Sequence, residues 1–259
     1  MPHDWMVTQH ENKLTIRRSS RAAVSPECRM VQVRIYDLGF TKGDEGWIVA
    51  PQPLQRTVET PLSYGEKFEE ALLYAARLHR DQTRKGTDTP YVTHLLAVAS
   101  IVGENGGTED ETVAALLHDA PEDRGGKERL QDIRERFGDE VAEIVAGCTD
   151  TYEDPKPEWR PRKEAYVSHV ATAPASVQLV SAADKLHNAR SILADLRSLG
   201  DGLWNRFTGG KEGTLWYYRA LVEAYTEAGA NPVIEELDWV VREIGALAQR
   251  AEVGEGRPM

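Results

Sequence analysis

A chain of 259 residues with 41% apolar side chains can bury a real core in one large domain or two small ones. Its formal net charge of −11 argues against broad contact with nucleic acid or an anionic membrane, although local cations can still hold a phosphorylated small molecule. The longest apolar run, Leu95 to Val102, is too short to cross a bilayer, no signal-peptide pattern is evident, and Cys28 and Cys148 form no redox or metal-ligand motif, so a cytoplasmic protein with free thiols is expected.

Residues 1–63 read as an N-terminal extension and linker. The first 29 residues lack periodicity and are expected to be disordered, so Met30 could equally be a start. MVQVRIY (Met30 to Tyr36) and GWIVA (Gly46 to Ala50) look extended, and the Gly/Asp/Lys turn residues between them suit a hairpin. Pro51, Pro53 and Pro61 mark the linker.

Helical spacing takes over from residue 64 to 252, and residues 253–259 read as a flexible tail. GEKFEEALLYAARLHRDQ places apolar residues at 68, 71, 72, 75, 76 and 78, a helix stripe. YVTHLLAVASIVGENGG follows, with Thr93 as its N-cap and Gly106-Gly107 as its stop. TEDETVAALLHD opens on Thr108 with acids in its first turn, as the helix dipole favours. LQDIRERFG and DEVAEIVAG are short helices ended by Gly138 and Gly147, and PRKEAYVSHVA and PASVQLVSAADKLHNARSILADL each carry a proline near the start. GTLWYYRALVEAYTEAG and PVIEELDWVVREIGALAQRA complete an all-α domain.

Polar residues intrude on this pattern at three points. In ALLHDAPED, His118 and Asp119 end an apolar helix, and burying a charge costs several kcal/mol unless it is paired or bound to a metal. His94 stands beside the apolar stripe of its helix. Asp184 is mid-helix in LVSAADKLHNARSIL, a position aspartate disfavours. Singly, these are a helix-end pair, a satisfied core histidine and a solvated aspartate. Together, two imidazoles and two carboxylates on three helices make a ligand set for a divalent ion; Mn²⁺ suits the carboxylates best, with Fe²⁺ or Zn²⁺ as alternatives. Continuing a helix through Pro121 costs about 3 kcal/mol or more, so a bend is expected there. That bend can return Glu122 and Asp123 toward the ligands, as general base or acid on a water; the plainer reading is a solvated acidic turn.

RKGTDTPYVTH, ALLHDAPED and ADKLHNAR, in this order and spacing, resemble the hydrolase domain of the RelA/SpoT family, and most of all its small stand-alone members of SpoT type. FGDEVAEIVAGCTDT and RPRKEAY extend the resemblance over roughly residues 65 to 198. It implies an HD-domain helical bundle that uses Mn²⁺ to remove the 3′-pyrophosphate of guanosine tetra- or pentaphosphate, (p)ppGpp, leaving GDP or GTP and pyrophosphate. By the same resemblance His94, His118, Asp119 and Asp184 are metal ligands, and Glu122 and Asp123 are the acidic pair that activates water. Arg84 and Lys85 then lie along the nucleotide pocket, Asn188 meets the ribose region, and Lys185 is a further phosphate contact.

Ala120-Pro121 departs from the family's usual Thr/Val-Val at this point, so the backbone that aims the acids can differ. For Lys185, Arg160, Arg162 and Lys163 a solvated basic face is the plainer reading. His79, His169 and His187 read as structural, and the aromatics of LWYYR (Leu215 to Arg219) as core. The residues after Asp195 are too few for a synthetase domain, so the chain is expected to degrade the alarmone without making it. Expected partners are a small phosphorylated nucleotide and neither nucleic acid nor membrane. Two alternatives stay open: the same site acting on another nucleotide (pGpp, a 3′-phosphonucleotide or NADPH), and a non-catalytic nucleotide sensor.

Overall fold

Alternating apolar residues, short turns and amphipathic stripes divide the chain into two units, Met1–Pro61 and Leu62–Met259. The computed structural model describes residues 64–229 and 231–250 in full, and residues 5–10, 13–18, 40–43, 46–49, 251 and 252 as backbone. In the N-terminal unit β1 (Trp5–His10) pairs antiparallel with β2 (Lys13–Arg18), in register from Trp5↔Arg18 to His10↔Lys13. A second hairpin joins β3 (Phe40–Gly43) to β4 (Gly46–Val49), with Phe40↔Val49 and Gly43↔Gly46 as its end pairs.

These hairpins correct two expectations. Residues 5–18, read as disordered, contain a ladder of β-formers such as Val7, Thr8, Thr15 and Ile16 closed over two residues. Gly46–Val49 is a strand as expected, but its partner is Phe40–Gly43, because a two-residue connection closes at less entropic cost than one of nine. The segment Met30–Tyr36, expected as that partner, lies outside the described residues, as do the linker prolines.

The second unit is helical among its described residues, as the sequence pattern requires. Its elements are α1 (Glu66–Leu78), α2 (Val92–Glu104), α3 (Glu109–Leu117), α4 (Ala120–Asp123), α5 (Gly126–Phe137), α6 (Asp139–Cys148), α7 (Trp159–Val170), α8 (Ala175–Leu199), a 3₁₀ helix (Gly200–Arg206), α9 (Gly210–Ala228) and α10 (Pro232–Glu252). Helix α3 starts at the expected Thr108, whose hydroxyl accepts from the Glu111 amide while the Glu111 carboxylate accepts from the Thr108 amide. Helix α2 begins two residues earlier than expected: Tyr91 holds the cap position, and the Thr93 hydroxyl instead donates to the Pro90 carbonyl at 2.8 Å.

Helix α8 is the axis of the domain. It buries Val177, Val180, Ala182, Ala183, Leu186, Ala189, Ile192, Leu193 and Leu196, and packs against α2, α3, α6, α7, α9 and α10. Small residues let its neighbours approach closely. A Cβ on Gly147 of α6 would lie 2.7 Å from the Val177 methyls, so α6 can reach α8 only with glycine there. Tyr217 and Tyr218 of α9 are buried, the core role expected of that aromatic cluster.

The chain bends before Pro121 rather than at it. Helix α3 ends at Leu117, and Pro121 sits in the first turn of the short α4, where its missing N–H breaks no hydrogen bond. The turn therefore falls on His118 and Asp119.

Candidate active site

Three helices bring the suspected ligands together. His94 lies in the first turn of α2, His118 and Asp119 form the α3–α4 corner, and Asp184 sits mid-way along α8. His94 Nε2 is 3.2 Å from Asp184 Oδ1 and 3.4 Å from Asp119 Oδ2. His118 Nε2 is 3.0 Å from Asp119 Oδ2 and 3.6 Å from Asp184 Oδ1. Ligand atoms of His94, His118 and Asp184 fall within 4.8 Å of one another, and all three residues are buried, so they could hold a metal ion.

The orientation of each ring favours that reading. His118 Nδ1 lies 2.8 Å from the Ala115 carbonyl, which can only accept, so Nδ1 carries a proton. The other nitrogen, Nε2, is buried without a hydrogen-bond partner although carboxylate oxygens lie close to it. Two carboxylates converging on a buried imidazole nitrogen call for a cation, a proton in the free protein or a divalent ion in its place, and the mixed N/O donor set fits such an ion. His94 Nδ1 meets His187 Nδ1 at 2.7 Å. Burial, then the neighbouring His94 and Arg84, push His187 down to about 4, which leaves it a neutral acceptor for the His94 Nδ1 proton. His187 thus turns His94 Nε2 toward the carboxylates, a role its structural reading in the sequence missed.

The carboxylates are held as firmly. The Tyr91 hydroxyl donates to Asp119 Oδ2 at 2.5 Å, Lys185 Nζ donates to Asp184 Oδ2 at 2.6 Å, and Asn188 Nδ2 donates to Asp184 Oδ1 at 2.5 Å. Burial raises Asp184, but the Lys185 charge and the bonds to His118 and His94 outweigh it and hold the carboxyl well below the usual range. Asp119 is likewise held low, against burial, by His118 and His94. For His118 burial opposes the proton, yet the charge of Asp119 and the bonds to Asp119 and Asp184 lift the imidazole well above its ordinary value. Tyr91 is three residues before His94 in PYVTH, a spacing that places both on one helix face and was legible in principle.

Lys185 and Asn188, expected at the nucleotide, both bond Asp184. Lys185 Nζ also sits 5.0 Å over the Tyr166 ring. Asn188 Oδ1 accepts from Arg84 Nη2 at 2.9 Å and Ser191 Oγ accepts from it at 3.4 Å, so Arg84 is tied to the metal-ligand helix. Lys85 is exposed. Gly86, in the left-handed region at φ 75°, is overlain by Arg206, since a Cβ there would meet the guanidinium stem at 2.9 Å. Arg206 is a cation beside the Arg84-Lys85 pair that the sequence did not single out.

The acidic pair divides its contacts. Glu122 accepts from Lys156 Nζ at 2.7 Å and from the Asp150 amide at 3.2 Å. Asp123 Oδ2 accepts from Gln82 Nε2 at 2.7 Å. Burial and the nearby Asp119 charge push Asp123 up, against the pull of Gln82 and Lys156. Glu122 is half-buried, whereas Asp123 is exposed on its turn and tied there to Gln82.

The basic residues of α7 correct a further expectation. Arg160 is exposed and pairs with Glu164, as a solvated face would. Arg162 and Lys163 are instead turned inward onto the buried Asp150, Lys163 at 2.6 Å. Burial and the Lys185 ammonium pull Lys163 down to about 7, against the opposing charges of Glu122 and Asp184. Asp150 was not singled out in the sequence, where CTDT carries no pattern that distinguishes it from a loop acid.

The fold and this ligand set define a class. The chain belongs to the HD domain family, whose family model matches residues 71–214. More narrowly, it is similar to the guanosine-3′,5′-bis(diphosphate) 3′-pyrophosphohydrolases MESH1, at 38% identity over 129 residues for that of Drosophila melanogaster and 39% over 126 residues for that of Homo sapiens. These alignments span 49% and 48% of this chain, and 69% and 68% of the relatives. A solved structure described as a metazoan ortholog of SpoT that hydrolyzes ppGpp superposes with a TM-score of 0.58 at 31% identity, over 70% of this chain and 97% of that one. The resemblance carried by the three sequence motifs is borne out.

Proposed function

We propose that this chain is a metal-dependent pyrophosphohydrolase of guanosine tetra- and pentaphosphate, with Mn²⁺ as its metal. The observation that carries the metal site is His118 Nε2, a buried nitrogen that faces one oxygen each of Asp119 and Asp184. His94, His118, Asp119 and Asp184 would hold the ion. When bound there, a divalent ion supplies Lewis acidity, which lowers the pKa of water and polarises phosphoryl oxygen.

The chain's own residues do the rest. Asp123 accepts the proton of the attacking water, and its carboxyl, raised beside the Asp119 charge, is a better base than a free aspartate. Glu122, pinned by Lys156 and the Asp150 amide, fixes the α4 turn and shares the negative field at the water. Water forms a bond to the phosphorus attached at O3′, the bond from that phosphorus to O3′ breaks, and O3′ takes up a proton as pyrophosphate leaves. Arg84, Lys85, Arg206 and Lys156 stand where cations can offset the phosphate charge that a net −11 chain would otherwise repel. No described helix is long and apolar enough to cross a membrane, and we place the protein in the cytoplasm with a small phosphorylated nucleotide as its ligand and no nucleic acid.

Product analysis tests this directly. Metal-stripped protein incubated with ppGpp should yield GDP and pyrophosphate when Mn²⁺ is restored and nothing without it. Absence of turnover with the metal verified on the protein would overturn the substrate, and a panel of pGpp, 3′-phosphonucleotides and NADPH would then identify another.

A further inference from the structure

The polypeptide between α1 and α2 is fixed on both sides of Gln82. The Gln82 amide donates to the His79 carbonyl at 3.0 Å, the Gln82 carbonyl accepts from the Tyr91 amide at 2.9 Å, and an antiparallel bridge Thr83↔Pro90 follows at once. The root of the Gln82 side chain therefore has little freedom. Its amide is saturated from behind: Oε1 accepts from His79 Nδ1 at 2.8 Å and from Arg124 Nε at 3.2 Å. With its oxygen so engaged, the NH₂ group must point the other way, and there it donates to Asp123 Oδ2 at 2.7 Å.

The residue behind it is equally constrained. His79 is buried, stacks on Tyr91 with ring centroids 5.3 Å apart, and Tyr91 donates to Asp119. His79 with Gln82 and Tyr91 thus braces two carboxylates from one side, Asp119 through a phenol and Asp123 through an amide. Burial lowers His79, so the ring stays neutral, and its Nδ1 proton is committed to Gln82.

We infer that Gln82 is a positioning residue that aims the Asp123 carboxylate, clamped in turn by His79 and Arg124. The inference rests on the reading of Asp123 as the group that accepts the proton of water. Asp123 lies on a four-residue helix whose backbone is held by its amide's bond to the Asp119 carbonyl, and Gln82 supplies the side-chain constraint from a different part of the chain. Loss of that hydrogen bond would let the carboxylate swing among rotamers, which lowers the chemical rate without removing a substrate contact.

Two variants test it in the full-length protein loaded with Mn²⁺. Gln82→Met removes all three side-chain bonds, whereas Gln82→Glu keeps both acceptor bonds to His79 and Arg124 and replaces the donor to Asp123 with a carboxylate oxygen that repels it. Both should lower kcat on ppGpp by about 10- to 100-fold, with KM and Mn²⁺ affinity within about threefold of the parent. In the background of Asp123→Asn, either change should cost little more, because a residue that acts through Asp123 has nothing left to aim. Full additivity of the two losses, or a parallel fall in metal affinity and melting temperature with kcat preserved, would overturn the inference. If Asp123→Asn itself keeps the parent rate, the reading of Asp123 fails; if Asp123→Asn is slow and Gln82→Glu is not, the inference alone fails.

Discussion

Two buried aspartates in this protein each lie beside cations, and they do different work. Asp184 is bonded to Lys185 and Asn188 and faces two imidazoles, and the polar atom left over is His118 Nε2. Asp150 takes Arg162 and Lys163, and the atoms left over are its own Oδ1 and the Arg162 Nε. The first site presents lone pairs converging on one point, which invites a cation. The second offers one acceptor and one donor beside charges already paired, which is a structural tie between α7 and the loop after α6. Identical residue types thus give a ligand set or a strut, depending on what remains unsatisfied once the pairs are made.

That contrast can be broken from its strong side first. Asp119→Ala should remove detectable Mn²⁺ binding and turnover together; a variant that keeps metal by calorimetry would remove Asp119 from the ligand set. Next comes Asp123→Asn, expected to keep metal while slowing turnover about 10²- to 10⁴-fold, the usual worth of general acid–base catalysis. Full rate in that variant would show that Asp123 takes no part in activating water.

Asp150→Ala attacks the strut. It leaves the side chains of Arg162 and Lys163 buried without their carboxylate, a loss on the order of 3–5 kcal/mol in unfolding free energy, measured by denaturant titration. Mn²⁺ affinity should change little by comparison. Equal losses in stability and metal binding would mean the two sites are one.

The smallest effect is protonic. In the metal-free protein His118 has its pKa raised, so its stabilising contribution is complete below the unfolded value of about 6.5 and is lost as pH rises through the folded one. Metal needs the same nitrogen, so binding must displace that proton, and affinity should rise with pH by up to about tenfold per unit until His118 is neutral. Calorimetry near pH 7 in two buffers of different ionisation enthalpy should show about one proton released per ion. No release would place the metal elsewhere.

Much of this was legible beforehand because it is local. Apolar spacing of 3.6 gave the helices, Thr108 with Glu111 gave a capped start, and His94, His118 with Asp119, and Asp184 were conspicuous as polar groups on helices that must be buried. Where reasoning from the chain fell short, what mattered was which groups pair in space. Lys185, expected at phosphate, and Asn188, expected at the ribose, both bond Asp184 on their own helix, and Arg162 with Lys163 reads as a wet face until Asp150 is found beneath them. Gln82 and His187 carry no signal alone, since an amide or a neutral imidazole is worth noticing only for what it touches.

The sequence by itself determined the helical domain, the family and the chemical inventory of the site, because periodicity and motif order are properties of neighbouring residues. Only the tertiary structure decided which of those groups is paired and which is left with a lone pair to offer. Pairing here joins residues as far apart as His94 and His187 or Gln82 and Asp123, and such contacts exist only once α8 and the α1–α2 connection have packed.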